Sequence, residues 1–370
     1  MIFFLFIIAA IIVAINVFMH QPPFGAFAKG GRLQRIQSSP NFRDGSFQNQ
    51  HFTPNLAEGT NYFTVLKEFF FGKSKRNRPD GSLPSQKTNL HTLPANENVL
   101  VWFGHSSYFM QVDGKKMLID PVFSGNASPF SFTTKSYPGT DVYTPEDMPE
   151  IDYLFISHDH WDHLDYPTIL ALRPKIRKII TGLGTAAHLE RWGFDTAIII
   201  ENDWNEKTEL EIGFVVHTLP TRHFSGRTFT RNKALWLSFA LTTPSMKIYL
   251  GGDSGYDTHF AEIGKTLGPF DLAILECGQY NPYWKYIHMM PEETIQAAID
   301  LQAKKLLPVH WAKFSLSLHA WDEPIIRVTK EGERKNFPVL HPMIGQKMYL
   351  AGGENKFTNW WEGSLFLYNP

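Results

Sequence analysis

The chain has a single cysteine, Cys277, among 370 residues. An intramolecular disulfide is therefore excluded, and so are zinc sites of the finger or ribbon kind, which need at least two thiolates. Any metal has to be held by histidine and carboxylate. An excess of charge of either sign is also lacking: 35 Lys and Arg stand against 36 Asp and Glu, a formal net charge of -1. Bulk electrostatic attraction to nucleic acid is not available to such a chain, and no nucleic-acid partner is expected. No repeat at solenoid spacing and no strong composition bias is found, so disordered, collagenous and coiled-coil classes fall away.

What is present is apolar and aromatic material, at 43% and 14% of the residues, and 15 histidines. That suffices for one large α/β domain with extensions. Met1 to Ile15 are apolar without interruption; Asn16 breaks the run, and Val17, Phe18 and Met19 resume it. About 20 apolar residues span a bilayer, so residues 1–28 read as a membrane-length anchor or signal segment. Pro22-Pro23 followed by Ala26-Phe27-Ala28 resembles a breaker and a small-x-small cleavage site. Against cleavage, no Lys or Arg precedes the run, whereas Lys29, Arg32 and Arg35 follow it. By the positive-inside rule those charges hold the following domain in the cytoplasm. The two cues conflict. A retained anchor is the expectation, with the side of the membrane open.

Residues 29–97 are rich in Gly, Pro, Ser, Asn and Gln and read as an irregular extension that wraps on something. Within it, the apolar spacing of Tyr62–Phe71 predicts a short helix, followed by Lys73, Lys75, Arg76 and Arg78. Two readings fit: a membrane-surface helix with a basic flank, or a helix packed on the catalytic domain with a solvated charged end. Residues 98–350 form the expected catalytic domain and 351–370 a tail. Strand-like runs begin with Val99–Phe103, Tyr108–Val112 and Lys116–Ile119, the latter two joined by an Asp113-Gly114 turn. Further runs are Tyr153–Ile156, Lys178–Ile180, Ala197–Ile200, Phe214–Thr218, Leu235–Leu241, Lys247–Leu250, Leu272–Leu275 and Lys305–Val309. Helical patterns at Tyr166–Leu172, Ala186–Trp192, Phe260–Leu267 and Pro291–Ala303 lie between them. Such an order suggests two packed sheets covered by helices.

The strand at Tyr153–Ile156 runs straight into Ser157-His158-Asp159-His160-Trp161-Asp162-His163. Burying so many polar groups without partners is too costly for a core. His158 and His160, at i and i+2, share a side only on extended backbone. One loop with these residues can feed two neighbouring ions, each with a partial ligand set. Distant residues then have to complete both sets. Candidates follow three later strands: His223 after Phe214–Leu219, Asp253 after Lys247–Leu250, and His310 after Lys305–Val309. Strand ends are where rigid scaffolds place functional groups.

His158-x-His160-x-Asp162-His163 with His223, Asp253 and His310 resembles the dinuclear zinc signature of metallo-β-lactamase-fold hydrolases. The likeness extends to Gly104-His105, Leu118-Ile119-Asp120-Pro121, Gly251-Gly252-Asp253-Ser254-Gly255-Tyr256, His288-x-x-Pro291-Glu292-Glu293 and His310-Trp311. These blocks, spread over about residues 98–350, resemble the branch of N-acyl-phosphatidylethanolamine-hydrolysing phospholipase D. The resemblance implies an αββα sandwich of two mixed β-sheets flanked by helices. It implies that His158, His160 and His223 hold one zinc ion, that Asp162, His163 and His310 hold a second, and that Asp253 bridges them. Iron or manganese would also suit these ligands. Two such ions can deprotonate a water between them, giving a hydroxide nucleophile at neutral pH. The implied reaction is hydrolysis of a phosphodiester, a phospholipid or another small ester. A lactonase or other carboxylic ester hydrolase and a non-catalytic membrane-tethered binding protein are the alternatives.

The catalytic set is expected to be Asp162, Asp253 and His288, with His288 positioning the phosphoryl group or protonating the leaving group. Asp120 and His105 are candidates to orient metal ligands from behind. Tyr280, Trp284 and Arg222 are candidates for substrate contact. The remaining histidines, His188 and His259 among them, lack a partner pattern and read as ordinary, and Cys277 beside Glu276 reads as packing.

Overall fold

The computed structural model describes residues 2–364. Residues 365–370 of the expected tail lie outside the described residues. The chain opens with α1 (Ile2–Met19), α2 (Gly30–Ser38), the small strands β1 (Phe42–Arg43) and β2 (Ser46–Phe47), and α3 (Tyr62–Phe71). A first run of strands follows: β3 (Val99–Trp102), β4 (Tyr108–Val112), β5 (Lys115–Ile119) and β6 (Ile151–Ile156). Then come α4 (Tyr166–Leu172), β7 (Ile176–Gly182), α5 (Ala186–Arg191) and β8 (Ile199–Asn202). The second run is β9 (Lys207–Glu211), β10 (Phe214–Leu219), β11 (Ser238–Thr242), β12 (Lys247–Leu250), α6 (His259–Leu267), β13 (Leu272–Glu276), α7 (Pro291–Asp300) and β14 (Leu306–Val309). The last elements are α8 (Glu323–Lys335) and β15 (Lys347–Tyr349).

Two mixed sheets result. A seven-stranded sheet has the order β15-β3-β4-β5-β6-β7-β8, and a six-stranded sheet has the order β14-β13-β12-β11-β10-β9. Each starts as antiparallel pairs and ends in parallel pairs: β5 to β8 in the first, β12 to β14 in the second. Parallel neighbours need crossovers, and these carry the helices. The two-residue side-chain period of a strand then sorts the core. In β6, Tyr153 and Phe155 face the other sheet, while Leu154 and Ile156 face α4 and α5. Phe155 meets Phe239 of β11 edge-on at 5.0 Å, directly across the sandwich. On the far side, Tyr249 of β12 packs on Phe260 of α6. Sheet on sheet with helices outside both is the αββα arrangement.

Boundaries moved where tertiary pairing outweighs propensity. The apolar run at 235–241 becomes strand only from Ser238, because the amides of Leu235 and Leu237 donate instead to Leu183 and Ser157 at the ends of the other sheet. β9, β15, α2 and α8 had no clear sequence signal. Trp360 and Trp361, in the expected tail, are buried against Trp311.

One expectation is corrected. Among the described residues, no helix is long and apolar enough to cross a membrane. α1 has 18 residues, and at 1.5 Å per residue it extends only about 27 Å, against a hydrocarbon core of about 30 Å. It is nevertheless exposed, and apolar around its circumference from Phe3 to Ile15. The two arginines after it are paired with carboxylates: Arg32 with Glu190 and Glu201, and Arg35 with Glu206.

Candidate metal centre

All the predicted ligands leave strand ends on one edge of the sandwich. β6 delivers His158, His160, Asp162 and His163; β10 delivers His223; β12 delivers Asp253; β14 delivers His310. The two glycines before Asp253 reflect crowding there: a Cβ on Gly252 would lie 2.6 Å from the Leu237 carbonyl oxygen. His105 and His310 have positive φ, 52° and 70°, an uncommon backbone region for residues other than glycine.

The side chains converge in two groups that share one end of the cleft. His158, His160, His223 and Asp253 form the first; His105, Asp162, His163 and His310 form the second. In the first, His158 Nε2 lies 2.9 Å and His223 Nε2 3.2 Å from His160 Nδ1. Asp253 Oδ2 lies 3.8 Å from His158 Nε2 and 3.2 Å from His163 Nε2, so it stands between the groups. Tetrahedral ligands at about 2.0–2.2 Å from zinc sit roughly 3.3–3.6 Å from one another, and the distances here, 2.9 to 3.8 Å, bracket that range. His288 joins a third grouping with Asp253 and His310.

The electrostatics call for a cation. Burial, first of all, holds His158, His160, His223 and His310 below the ordinary imidazole range, so they are neutral, the form that binds metal. Burial works against charge on Asp162 and Asp253, but His163 and the other imidazoles outweigh it and hold both carboxyls well below the usual range. His163 is pushed well above its ordinary value; burial opposes this, and Asp253 and Asp162 prevail. His163 Nε2 and Asp253 Oδ1 are buried without hydrogen-bond partners. Leaving a buried polar atom without a hydrogen bond costs about 1–3 kcal/mol. A divalent cation between these atoms meets that demand, and the donor set fits it.

Behind the ligands lies an ordered shell. Asp120 Oδ2 sits 2.8 Å from His163 Nδ1, and its Oδ1 accepts from the Ser157 amide at 2.8 Å. His105 Nε2 lies 2.8 Å from Asp162 Oδ2. The Ile287 carbonyl accepts from His223 Nδ1 at 2.9 Å. Two members were missed in the sequence. Asn49 accepts from the His223 amide at 3.1 Å and donates to its carbonyl at 2.8 Å. Glu276, in the strand before Cys277, lies 3.5 Å from His288 Nδ1. Burial foremost pushes Glu276 up to about 7, and Glu276 in turn counters burial to raise His288. The two face each other as a buried ion-pair contact, and neither Glu276 Oε2 nor His288 Nδ1 has a hydrogen-bond partner. Nothing in sequence signals Asn49, whose partner is 174 residues away. Glu276 had a signal, an acidic residue ending a buried strand.

The substrate candidates divide. Trp284 lines the cleft, together with Pro54, Leu56, Tyr62, Phe69 and Ile287. Arg222 does not serve there: its guanidinium donates to Thr53 Oγ1 and the Phe52 carbonyl and lies over Tyr286. Tyr280 is also corrected. It is buried, stacks on His319 and donates to Glu323. Both were drawn into packing by partners far along the chain.

Fold and site together define a metal-dependent hydrolase of the metallo-β-lactamase fold. The model of the Beta-lactamase superfamily domain matches residues 115–311, and the chain belongs to that superfamily. It is 34% identical over 348 residues to an uncharacterised protein of Mycobacterium tuberculosis, covering 93% of each chain. It is 30% identical over 316 residues to N-acyl-phosphatidylethanolamine-hydrolyzing phospholipase D 1 of Caenorhabditis elegans, covering 78% of this chain and 84% of the relative. Among solved structures, the metallo hydrolase Igni18 of Ignicoccus hospitalis superposes with a TM-score of 0.54 at 20% identity, over 68% of this chain and 98% of that one.

Proposed function

We propose that the chain is a zinc-dependent phosphodiesterase of phospholipase D type, acting on a phospholipid such as N-acyl-phosphatidylethanolamine. One observation carries the reading. A single cleft of about 440 Å³ has His160, Asp162, His223, Asp253 and His310 at its polar end and Leu56, Tyr62, Phe69, Trp284 and Ile287 along its wall. An anionic diester fits the first, and an acyl chain fits the second. The relative from Caenorhabditis elegans, by its name, acts on the same substrate class.

When bound, two zinc ions would supply Lewis acidity toward the phosphoryl oxygen and lower the pKa of water. Asp253, between the two ligand groups, holds both halves of the site in register. His288 gives a proton to the departing alcohol oxygen as the new P–O bond forms and the old one breaks. Glu276, 3.5 Å from His288 Nδ1, sets a carboxyl counter-charge beside the ring.

Membrane association belongs to the same proposal. α1 is uncharged and exposed, and α3 leaves Phe63, Leu66, Phe70 and Phe71 exposed while Phe69 lines the cleft. Apolar surface of this kind lies in a lipid interface. A panel of lipid phosphodiester, lactone and β-lactam at neutral pH, with and without chelator, tests the activity. Chelator-sensitive turnover of the phosphodiester is expected; preference for the lactone would establish the ester-hydrolase alternative instead.

A further inference from the structure

The segment that leaves α1 is built into the back of the metal loop. Phe24 is buried and meets Trp161, which lies between ligands His160 and Asp162, edge-on at 5.2 Å. The Arg227 guanidinium lies over that same ring at 4.0 Å. Its Nε donates to the Pro23 carbonyl at 2.9 Å, and its Nη1 donates to the carbonyls of Asp159 and Leu164 at 2.8 and 2.7 Å. One guanidinium thus ties the N-terminal segment to both ends of the ligand loop.

A second tie runs through His188. The Ala26 amide donates to His188 Nδ1 at 3.0 Å. That bond makes Nδ1 the acceptor, so Nε2 carries the proton and donates to Asp159 Oδ2 at 3.2 Å. Asp159 sits between ligands His158 and His160, and its other oxygen accepts from the Gly226 amide at 2.7 Å. Arg191 and Trp192 bind the Gly25 and Pro22 carbonyls at 2.8 and 2.7 Å. Gly25 has φ 70°, and a Cβ there would lie 1.9 Å from His188 Nδ1. The close approach admits glycine alone.

We infer that Pro22–Ala26 is a positioning strap for the metal loop, holding His158, His160, Asp162 and His163 in ligand geometry through Asp159, Trp161 and Arg227. The inference rests on the metal reading above and extends it to residues far from the ligands in sequence. It also bears on processing. Cleavage at Ala26-Phe27-Ala28 would remove Phe24 and the Ala26 amide, and with them the hold on the loop. The working protein keeps these residues.

The test uses the full chain and metal retention. Zinc-loaded Phe24→Ala and His188→Ala are exposed to a chromophoric chelator, and the visible spectrum of the cobalt-substituted forms is recorded. Partners behind metal ligands are typically worth about 10–100-fold in affinity, so faster metal release of that order and an altered cobalt spectrum are expected. His188→Gln, which keeps one acceptor and one donor, restores retention to within about threefold of wild type if the ties rather than bulk packing matter. Circular dichroism reports folding separately, and the two single variants attack the strap at independent points. Wild-type release rates and spectra in both Ala variants, with the wild-type chain holding its metal, overturn the strap alone. A wild-type chain that takes up no metal overturns the metal reading and the strap together.

Discussion

Asp120 Oδ2 stands 2.8 Å from Nδ1 of His163, at the centre of a buried chain that includes the Ser157 hydroxyl and His158. The carboxylate fixes which face of the His163 ring is presented to the cleft and makes it a better donor to a cation. Asp120→Asn keeps the volume and removes the charge. Metal affinity, measured by chelator competition, is expected to fall about 10–100-fold with little change in fold. Unchanged affinity would remove Asp120 from the site's supporting structure.

Asn49 brackets the His223 main chain with two hydrogen bonds and also accepts from the Trp236 indole. Asn49→Ala leaves the partly buried amide and carbonyl of His223 without their partners. A loss of about 1–2 kcal/mol in stability is expected, together with weaker retention of the ion that His223 would hold. Thermal unfolding of the metal-free and loaded forms separates the two effects. A variant that loses stability equally in both forms contradicts a role at the site.

Phe69 and Tyr62 reach the cleft from α3. Truncating Phe69 to Ala removes part of the apolar wall. The acyl burial forfeited is worth about 1 kcal/mol, so KM for a long-acyl phosphodiester rises roughly fivefold. A soluble short-chain diester keeps its kcat and KM. Equal effects on both substrates would contradict an acyl-binding wall.

His259 is buried near Ser254, and burial holds its imidazole down to about 4. In the unfolded chain the same group takes up its proton near pH 6.5. Between those values the unfolded state binds more protons, so stability falls as pH falls through 6.5 toward 4. The contribution lost by this one group is about 3 kcal/mol at the acid end. His259→Gln is expected to flatten the fall of Tm across that window. A variant with the wild-type slope would show that other groups govern it.

The candidate ligands were legible because they cluster in a short loop after a buried strand and recur singly at later strand ends. Local chemistry and strand periodicity announce both features. Sheet-on-sheet packing was legible from the early hairpins and the later alternation of strands with helices. What sequence concealed was pairing over long distance. Arg222 and Tyr280 look like substrate contacts until their partners, Thr53 and Glu323, are placed beside them. His188 looks ordinary until Ala26 arrives from 162 residues away. The extension at 29–97 reads as irregular because its order comes from the surface it covers rather than from its own periodicity. The apolar N-terminal run reads as a span, whereas among the described residues no helix is long and apolar enough to cross a membrane.

The metal content of the purified full chain, measured by elemental analysis after exposure to zinc, tests the central claim most directly. Two ions per chain are expected for the wild type, with at most one in Asp253→Ala, because that carboxylate lies within reach of both ligand groups. A wild-type chain holding less than one ion, or an Asp253→Ala chain that still holds two, would contradict it.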